Sequence, residues 1–260
     1  MYQRSSCLLV VILFTTTLTF CQADNQEIKC PCSHCADNQA NCANAIKRYK
    51  DVPGPFPKDI TIINMQVNKI ETITKNSFGE LPELKILRLD DNKINDVRPG
   101  AFSQMSKLNE LVLNNNAISA LPADLVHPDA PLANGIKLNN NSLTFFPLAL
   151  LLRTQKTINV YGNPINCNCF SVIPKDLKPK VIGVCKSPKH LKGKDINDIT
   201  YEDVNCTVCR DVKCHGGLCY SYNGKNHQCI CDDFSDGDDC SEIFVAVSYT
   251  HLTLPTKRIV

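Results

Sequence analysis

The chain has 260 residues, 16 of them Cys and none Trp, with 21% charged residues and a formal net charge of +2. The hydrophobic fraction of 43% excludes a disordered chain, and the near-zero charge excludes a dedicated nucleic-acid binder. So high a cysteine content belongs to an oxidising compartment rather than a reducing one.

Arg4 precedes an apolar run over residues 8–14, then a Thr-rich stretch and Cys21-Gln22-Ala23. Residues 1–23 read as a secretory signal peptide cut after Ala23. A membrane anchor would need about 20 mostly apolar residues, and the threonines between Thr15 and Thr19 dilute this one, so no transmembrane segment is expected. Cleavage removes Cys7 and Cys21 and leaves fourteen of the sixteen cysteines, an even number.

Cys30, Cys32, Cys35 and Cys42 come next, followed by Val52-Pro53-Gly54-Pro55-Phe56-Pro57. This segment, 24–58, resembles the N-terminal cysteine cap of extracellular leucine-rich repeat proteins. The resemblance implies the pairs Cys30–Cys35 and Cys32–Cys42, although the spacing here is C-x-C-x-x-C rather than C-x(3)-C-x-C.

Residues 59–164 repeat themselves. The template L-x-x-L-x-L-x-x-N-x-L fits Ile60, Ile63, Met65, Asn68 and Ile70. It recurs from Leu84 to Ile94 and from Leu108 to Ile118. A fourth copy uses Ala133, Ile136, Leu138, Asn141 and Leu143, and a degenerate fifth uses Ile158, Val160, Asn163 and Ile165. Successive asparagines are 24, 24, 25 and 22 residues apart. Alternating apolar residues mark a short strand with inward side chains, and the Asn after it can bond turn backbone through its amide. Phe78 with Leu81, and Phe102 with Met105, supply core on the returning half. The pattern predicts an α/β-type leucine-rich repeat solenoid, a horseshoe of short parallel strands with about five repeats, whose ends need covers.

Residues 165–206 hold Cys167, Cys169, Cys185 and Cys206 and resemble the matching C-terminal cap, which implies Cys167–Cys185 and Cys169–Cys206. The Trp that usually follows the C-x-C of such caps is absent. In 207–240 the last six cysteines, with Gly216-Gly217 before the third of them and a Gly-containing acidic run before Cys240, look like an EGF-like module. The implied pairs are Cys209–Cys219, Cys214–Cys229 and Cys231–Cys240. No acidic calcium motif precedes Cys209. Residues 241–260 read as a non-native or truncated tail. Cysteine-capped repeats joined to an EGF-like module in a secreted chain resemble the Slit family, with one block of each kind here.

No His-Glu-x-x-His, Gly-x-Ser-x-Gly or phosphate-loop motif occurs, so no enzyme, cofactor or metal is expected. Two C-x-x-C strings, at Cys32 and Cys206, would suit zinc or redox chemistry only as free thiols, which secretion opposes. The expected partner is an extracellular or cell-surface protein. Counting back from each ladder Asn places Asn64, Gln66, Arg88, Asp90, Glu110, Val112, Asn114, Lys137, Asn139, Asn159 and Tyr161 on the concave face, with a hot spot at Arg88, Val112 and Tyr161. The alternative for this face is plain solvation. Five strands give a flat area of about 250 Å², short of the ~800 Å² a stable interface uses per partner. Lys175, Lys178, Lys180, Lys186, Lys189, Lys192 and Lys194 form a basic stretch in the C-terminal cap, either a heparan sulfate site or a solubilising end. A structural matrix protein that binds glycosaminoglycan is the alternative function. Sequons place candidate glycans at Asn140 and Asn205.

Overall fold

The computed structural model describes residues 6–10, 18–22, 30–46, 48–122, 124–147, 150–151, 154, 156–173, 181–215, 217–221, 226–231 and 235–243. Near the N-terminus, β1 (Ser6–Val10) pairs antiparallel with β2 (Leu18–Gln22). This hairpin lies within the segment read as a signal peptide.

Each repeat contributes one short strand to a common sheet. They are β5 (Ile62–Asn64), β7 (Ile86–Arg88), β9 (Glu110–Val112), β10 (Ile136–Lys137) and β11 (Ile158–Asn159). Both caps extend that sheet. At the N-terminal end β3 (His34–Ala36) and β4 (Gln39–Asn41) form a hairpin through Asp37 and Asn38, both with positive φ. Two consecutive left-handed residues make the turn that matches strand twist. At the other end β12 (Val181–Ile182) pairs parallel with β11. The result is one eight-stranded sheet, ordered β12-β11-β10-β9-β7-β5-β4-β3.

Inside the sheet the apolar template residues are buried, with Ile63, Met65, Leu87, Leu89, Leu111, Leu113 and Leu138 fully enclosed. The fourth repeat departs from the template. Leu132, not Ala133, fills its first core position: Leu132 is buried and Ala133 exposed. In this copy the asparagines are 25 positions apart, and Leu132 takes φ 44° to absorb the extra residue.

The returning halves are turns and short strands. β6 (Thr72–Ile73) pairs parallel with β8 (Asp96–Val97), and Phe102 bridges Val126. The helical residues described in the repeat body are confined to Leu150, Leu151 and Thr154. Segments such as Ser77-Phe78-Gly79-Glu80-Leu81-Pro82 are too short and too rich in Gly and Pro to sustain a helix. Along this side Phe56 stacks on Phe78 and Phe78 packs at a tilt against Phe102, with ring centroids 6.3 and 6.2 Å apart.

A ladder of asparagines stitches the repeats together. Each amide nitrogen of Asn68, Asn92, Asn116, Asn141 and Asn163 donates to a carbonyl of its own strand end and to one in the preceding turn. Each amide oxygen accepts a backbone N–H from the preceding turn. The residue before every ladder Asn is left-handed: Val67, Asp91, Asn115, Asn140 and Gly162 have φ of 56°, 55°, 55°, 55° and 78°. At Gly162 a Cβ would meet the Asn140 side-chain oxygen, which would have to turn aside, and glycine takes the φ of 78° without strain. Val67 is the misfit, because a β-branched residue at this φ is strained. Val67→Asn should therefore stabilise the chain by about 1 kcal/mol, read as a higher urea midpoint at unchanged slope. A lower midpoint would refute the strain argument.

Among the described residues, seven disulfides occupy the two ends of the solenoid and the segment after it. Cys30–Cys35 and Cys32–Cys42 tie the N-terminal hairpin, and Cys167–Cys185 and Cys169–Cys206 tie the C-terminal cap. Cys209–Cys219, Cys214–Cys229 and Cys231–Cys240 hold the last segment, where β13 (Gly217–Ser221) pairs with β14 (His227–Cys231). There β15 (Ser235–Asp236) pairs with β16 (Glu242–Ile243), so two residues assigned to the tail by sequence take part in a strand pair. Among the described residues, no helix is long and apolar enough to cross a membrane.

Candidate functional site

The pleat sends alternate strand residues to the core and to the concave face. Register aligns that face into rows. Asn41, Asn64, Arg88, Val112, Lys137, Asn159 and Ile182 lie side by side, one per strand. Gln39, Ile62, Ile86 and Glu110 form a second row. Eight strands about 4.8 Å apart span roughly 34 Å, against roughly 19 Å for the repeats alone. With three alternating positions of roughly 13 Å the flat area reaches about 440 Å², and side-chain relief brings it near the ~800 Å² of a standard interface.

Exposure along this face is uneven. Arg88 is exposed, and Asn64, Gln66, Asn114, Lys137, Asn139 and Asn159 are half-buried. Tyr161 is 59% exposed and Ile182 41%. Asp90, Glu110 and Val112, however, retain only 6%, 7% and 6% of their surface. They belong to the floor of the sheet rather than to its contact surface. The Gln66 side-chain N–H donates to Asp90 Oδ2 at 2.7 Å, and Lys137 Nζ closes over Glu110 Oε1 at 2.5 Å. Val112 sits in register between Arg88 and Lys137, whose longer side chains flank it. The hot spot expected at Arg88, Val112 and Tyr161 thus keeps only its two outer members at the surface. Counting back from the ladder Asn finds which side a residue faces but not how tall its neighbours are. Ile182, brought alongside Asn159 by the cap strand, carries no repeat signal and escapes that counting.

At the C-terminal cap Lys186, Lys189 and Lys192 are exposed, while Lys175, Lys178 and Lys180 lie outside the described residues. Lys194 is engaged: its ammonium donates to Asp203 Oδ2 at 2.6 Å. The same oxygen accepts the Thr200 N–H at 2.8 Å and the Thr200 hydroxyl at 2.9 Å. The Lys194 hydrogen bond first, then the two from Thr200, lower the Asp203 carboxyl from 3.8 to about 2. A folded value below the unfolded one means that this contribution to stability is complete above about pH 4. It is lost as the pH falls through about 2. Thermal midpoints measured from pH 5 to pH 2 should drop more steeply in the parent than in Asp203→Asn; parallel curves would contradict this.

The Sγ atoms of Cys30, Cys32 and Cys35 lie within 4.8 Å of one another because two disulfides gather them. Bonded sulfurs offer a metal no thiolate. Both sequon asparagines, Asn140 and Asn205, are exposed. The Asn140 amide donates to Asn115 Oδ1 at 2.9 Å, and Cys206, the middle residue of the second sequon, is bonded to Cys169.

Comparison with known proteins gives a match to the leucine rich repeat family over residues 82–129. No curated protein matches the chain. Among solved structures, the fold is similar to a chain of an octameric complex of Latrophilin 3, Unc5D and FLRT2, with TM-score 0.44 and 21% identity. That likeness covers 61% of this chain and 59% of the other. It is also similar to human 5T4, with TM-score 0.39 and 15% identity over 70% of this chain and 99% of that one. The chain is a solenoid of about five leucine-rich-repeat turns with disulfides at both ends.

Proposed function

We propose that this chain is a secreted protein-recognition module that binds an extracellular or cell-surface protein across the concave sheet. One observation carries the reading. The eight-stranded face offers an area near that of a standard interface, with Arg88, Tyr161 and Ile182 exposed on it. Aromatic and Arg side chains are the residues that most often anchor such contacts. The seven disulfides among the described residues suit the oxidising space outside the cell. The order of cap, repeats, cap and a six-cysteine segment supports a Slit-like ligand or matrix protein, with the last segment as an EGF-like module. The test is binding of the full chain to cells stripped of heparan sulfate. Saturable binding supports a protein receptor; its absence overturns this reading.

A second reading, a matrix component that binds glycosaminoglycan, draws on Lys186, Lys189 and Lys192. None of the three has a carboxylate within ion-pair distance among the described residues. Clustered lysines attract polyanions in a salt-dependent way. The protein should then be retained on heparin resin at physiological salt, and Lys186→Ala with Lys189→Ala and Lys192→Ala should lower the eluting salt. Passage of the parent chain through the resin would refute it.

A further inference from the structure

The N-terminal third of the concave face differs from the rest. A groove of about 290 Å³ runs across β4, β5 and β7. Along one side lie Asn41, Asn64 and Arg88, adjacent in register and about 4.8 Å apart. The Asn41 amide oxygen accepts the Ala43 N–H at 3.1 Å, and that of Asn64 accepts the Gln66 N–H at 3.2 Å. An oxygen that takes a backbone N–H fixes which way its amide points. Both Nδ2 groups therefore remain as donors, without an acceptor among the described residues. Arg88 is exposed and has no carboxylate within ion-pair distance among those residues. Ile62 and Ile86 form the aliphatic side of the groove.

We infer that this groove takes an extended segment of a protein partner, with an Asp or Glu carboxylate on Arg88 and an apolar side chain against Ile62 and Ile86. The inference rests on the recognition reading above and names the chemistry of its partner. Three successive donors that end in a cation call for an acceptor-rich, negatively charged group. A guanidinium offers a carboxylate two parallel hydrogen bonds, which fixes orientation as well as charge. A sulfated polysaccharide fits less well. It draws on several cations, and Lys137, the other cation of the repeat strands on this face, is already neutralised by Glu110. The two isoleucines would also gain nothing from a polysaccharide, whereas an aliphatic side chain removes their surface from water.

Random nonapeptides displayed on phage, selected on the immobilised full chain, test this directly. The parent should enrich peptides with Asp or Glu beside an aliphatic residue. The best peptide, made synthetically, should bind Arg88→Ala roughly 10- to 100-fold more weakly, as expected for loss of a charge-assisted bond. Its own Asp→Asn or Glu→Gln analogue should lose a similar factor on the parent, and Lys75→Ala, exposed on the returning side, should leave affinity unchanged. Arg88→Lys should recover only part of the loss, because the second hydrogen bond of the fork is missing. No enrichment, enrichment without acidic residues, or equal affinity on Arg88→Ala overturns the inference. Saturable cell binding that survives Arg88→Ala would keep the recognition reading and discard this subsite.

Discussion

Replacing Phe102 by Ala should cost about 4 kcal/mol of stability. The ring is fully enclosed and packs at 6.2 Å from Phe78, which in turn stacks on Phe56 of the N-terminal cap. Truncation removes the transfer free energy of the side chain and leaves a cavity that its neighbours cannot fill. It also removes an aromatic contact worth up to about 1.5 kcal/mol beyond area burial. The position matters as much as the residue. Phe102 lies midway along a solenoid whose stability comes from nearest-neighbour interfaces, and its backbone also bridges Val126 of the next turn. A void there weakens the contact on both sides, so the two halves of the solenoid should begin to unfold separately. Urea unfolding followed by circular dichroism should show a lower midpoint and a shallower slope. Phe145, 59% exposed, is the control: Phe145→Ala should shift stability by no more than about 0.5 kcal/mol. Equal midpoints for the two variants would show that the phenylalanine stack is not a structural spine.

The repeat core and the ladder were legible because each depends on spacing, and spacing survives in sequence. Ile63, Leu87 and Leu111 fall at fixed offsets from Asn68, Asn92 and Asn116, and that offset is what turns them inward. Where a repeat gains a residue the offset breaks. Leu132 takes the place assigned to Ala133 because a left-handed residue can store the extra length, and no one-letter pattern shows that. The caps were legible as cysteine frameworks but not as strands. The hairpin turn at Asp37-Asn38 lacks the glycine that most often marks such turns, and Val181-Ile182 is too short to show alternation. That omission halved the width expected of the concave face. Burial on the face escaped for a different reason. Glu110 disappears under Lys137, a residue 27 positions away, and only the parallel register of β9 and β10 brings the two together.

Asn92→Ala should destabilise the chain by about 2 to 3 kcal/mol, more than the same change at Asn115. Asn92 is 9% exposed, and its amide makes four bonds. The nitrogen donates to the carbonyls of Met65, Leu89 and Asp90 at 3.0, 3.0 and 3.2 Å, and the oxygen accepts the Ile70 N–H at 3.1 Å. Alanine leaves the Ile70 N–H inside the turn with neither a partner nor easy access to water, while the carbonyls of Met65, Leu89 and Asp90 each lose one donor and keep another, from Asn68, Asn116 and the Val67 N–H. That penalty exceeds the modest net value of the bonds themselves. The outer chain of Asp91, Asn115 and Asn140 gives the contrast. Its members also bond one another at 2.9 Å but are exposed, so water replaces the bonds that Asn115→Ala removes and about 1 kcal/mol remains, from alanine at a φ of 55°. Asn92→Asp separates the two functions of the amide. A carboxylate can still accept the Ile70 N–H but turns its other oxygen on the carbonyls of Met65 and Leu89, so it should be at least as harmful as alanine at pH 7. Protonation supplies one donor, so lowering the pH towards 4 should recover part of the loss in this variant and none in Asn92→Ala. Amide exchange at Ile70 reports the other side of the ladder: protection should fall in Asn92→Ala and persist in Asn92→Asp once both are compared at equal global stability. If Asn92→Ala and Asn115→Ala unfold at the same urea concentration, the buried ladder does not hold the repeats together, and the apolar layers alone must do so.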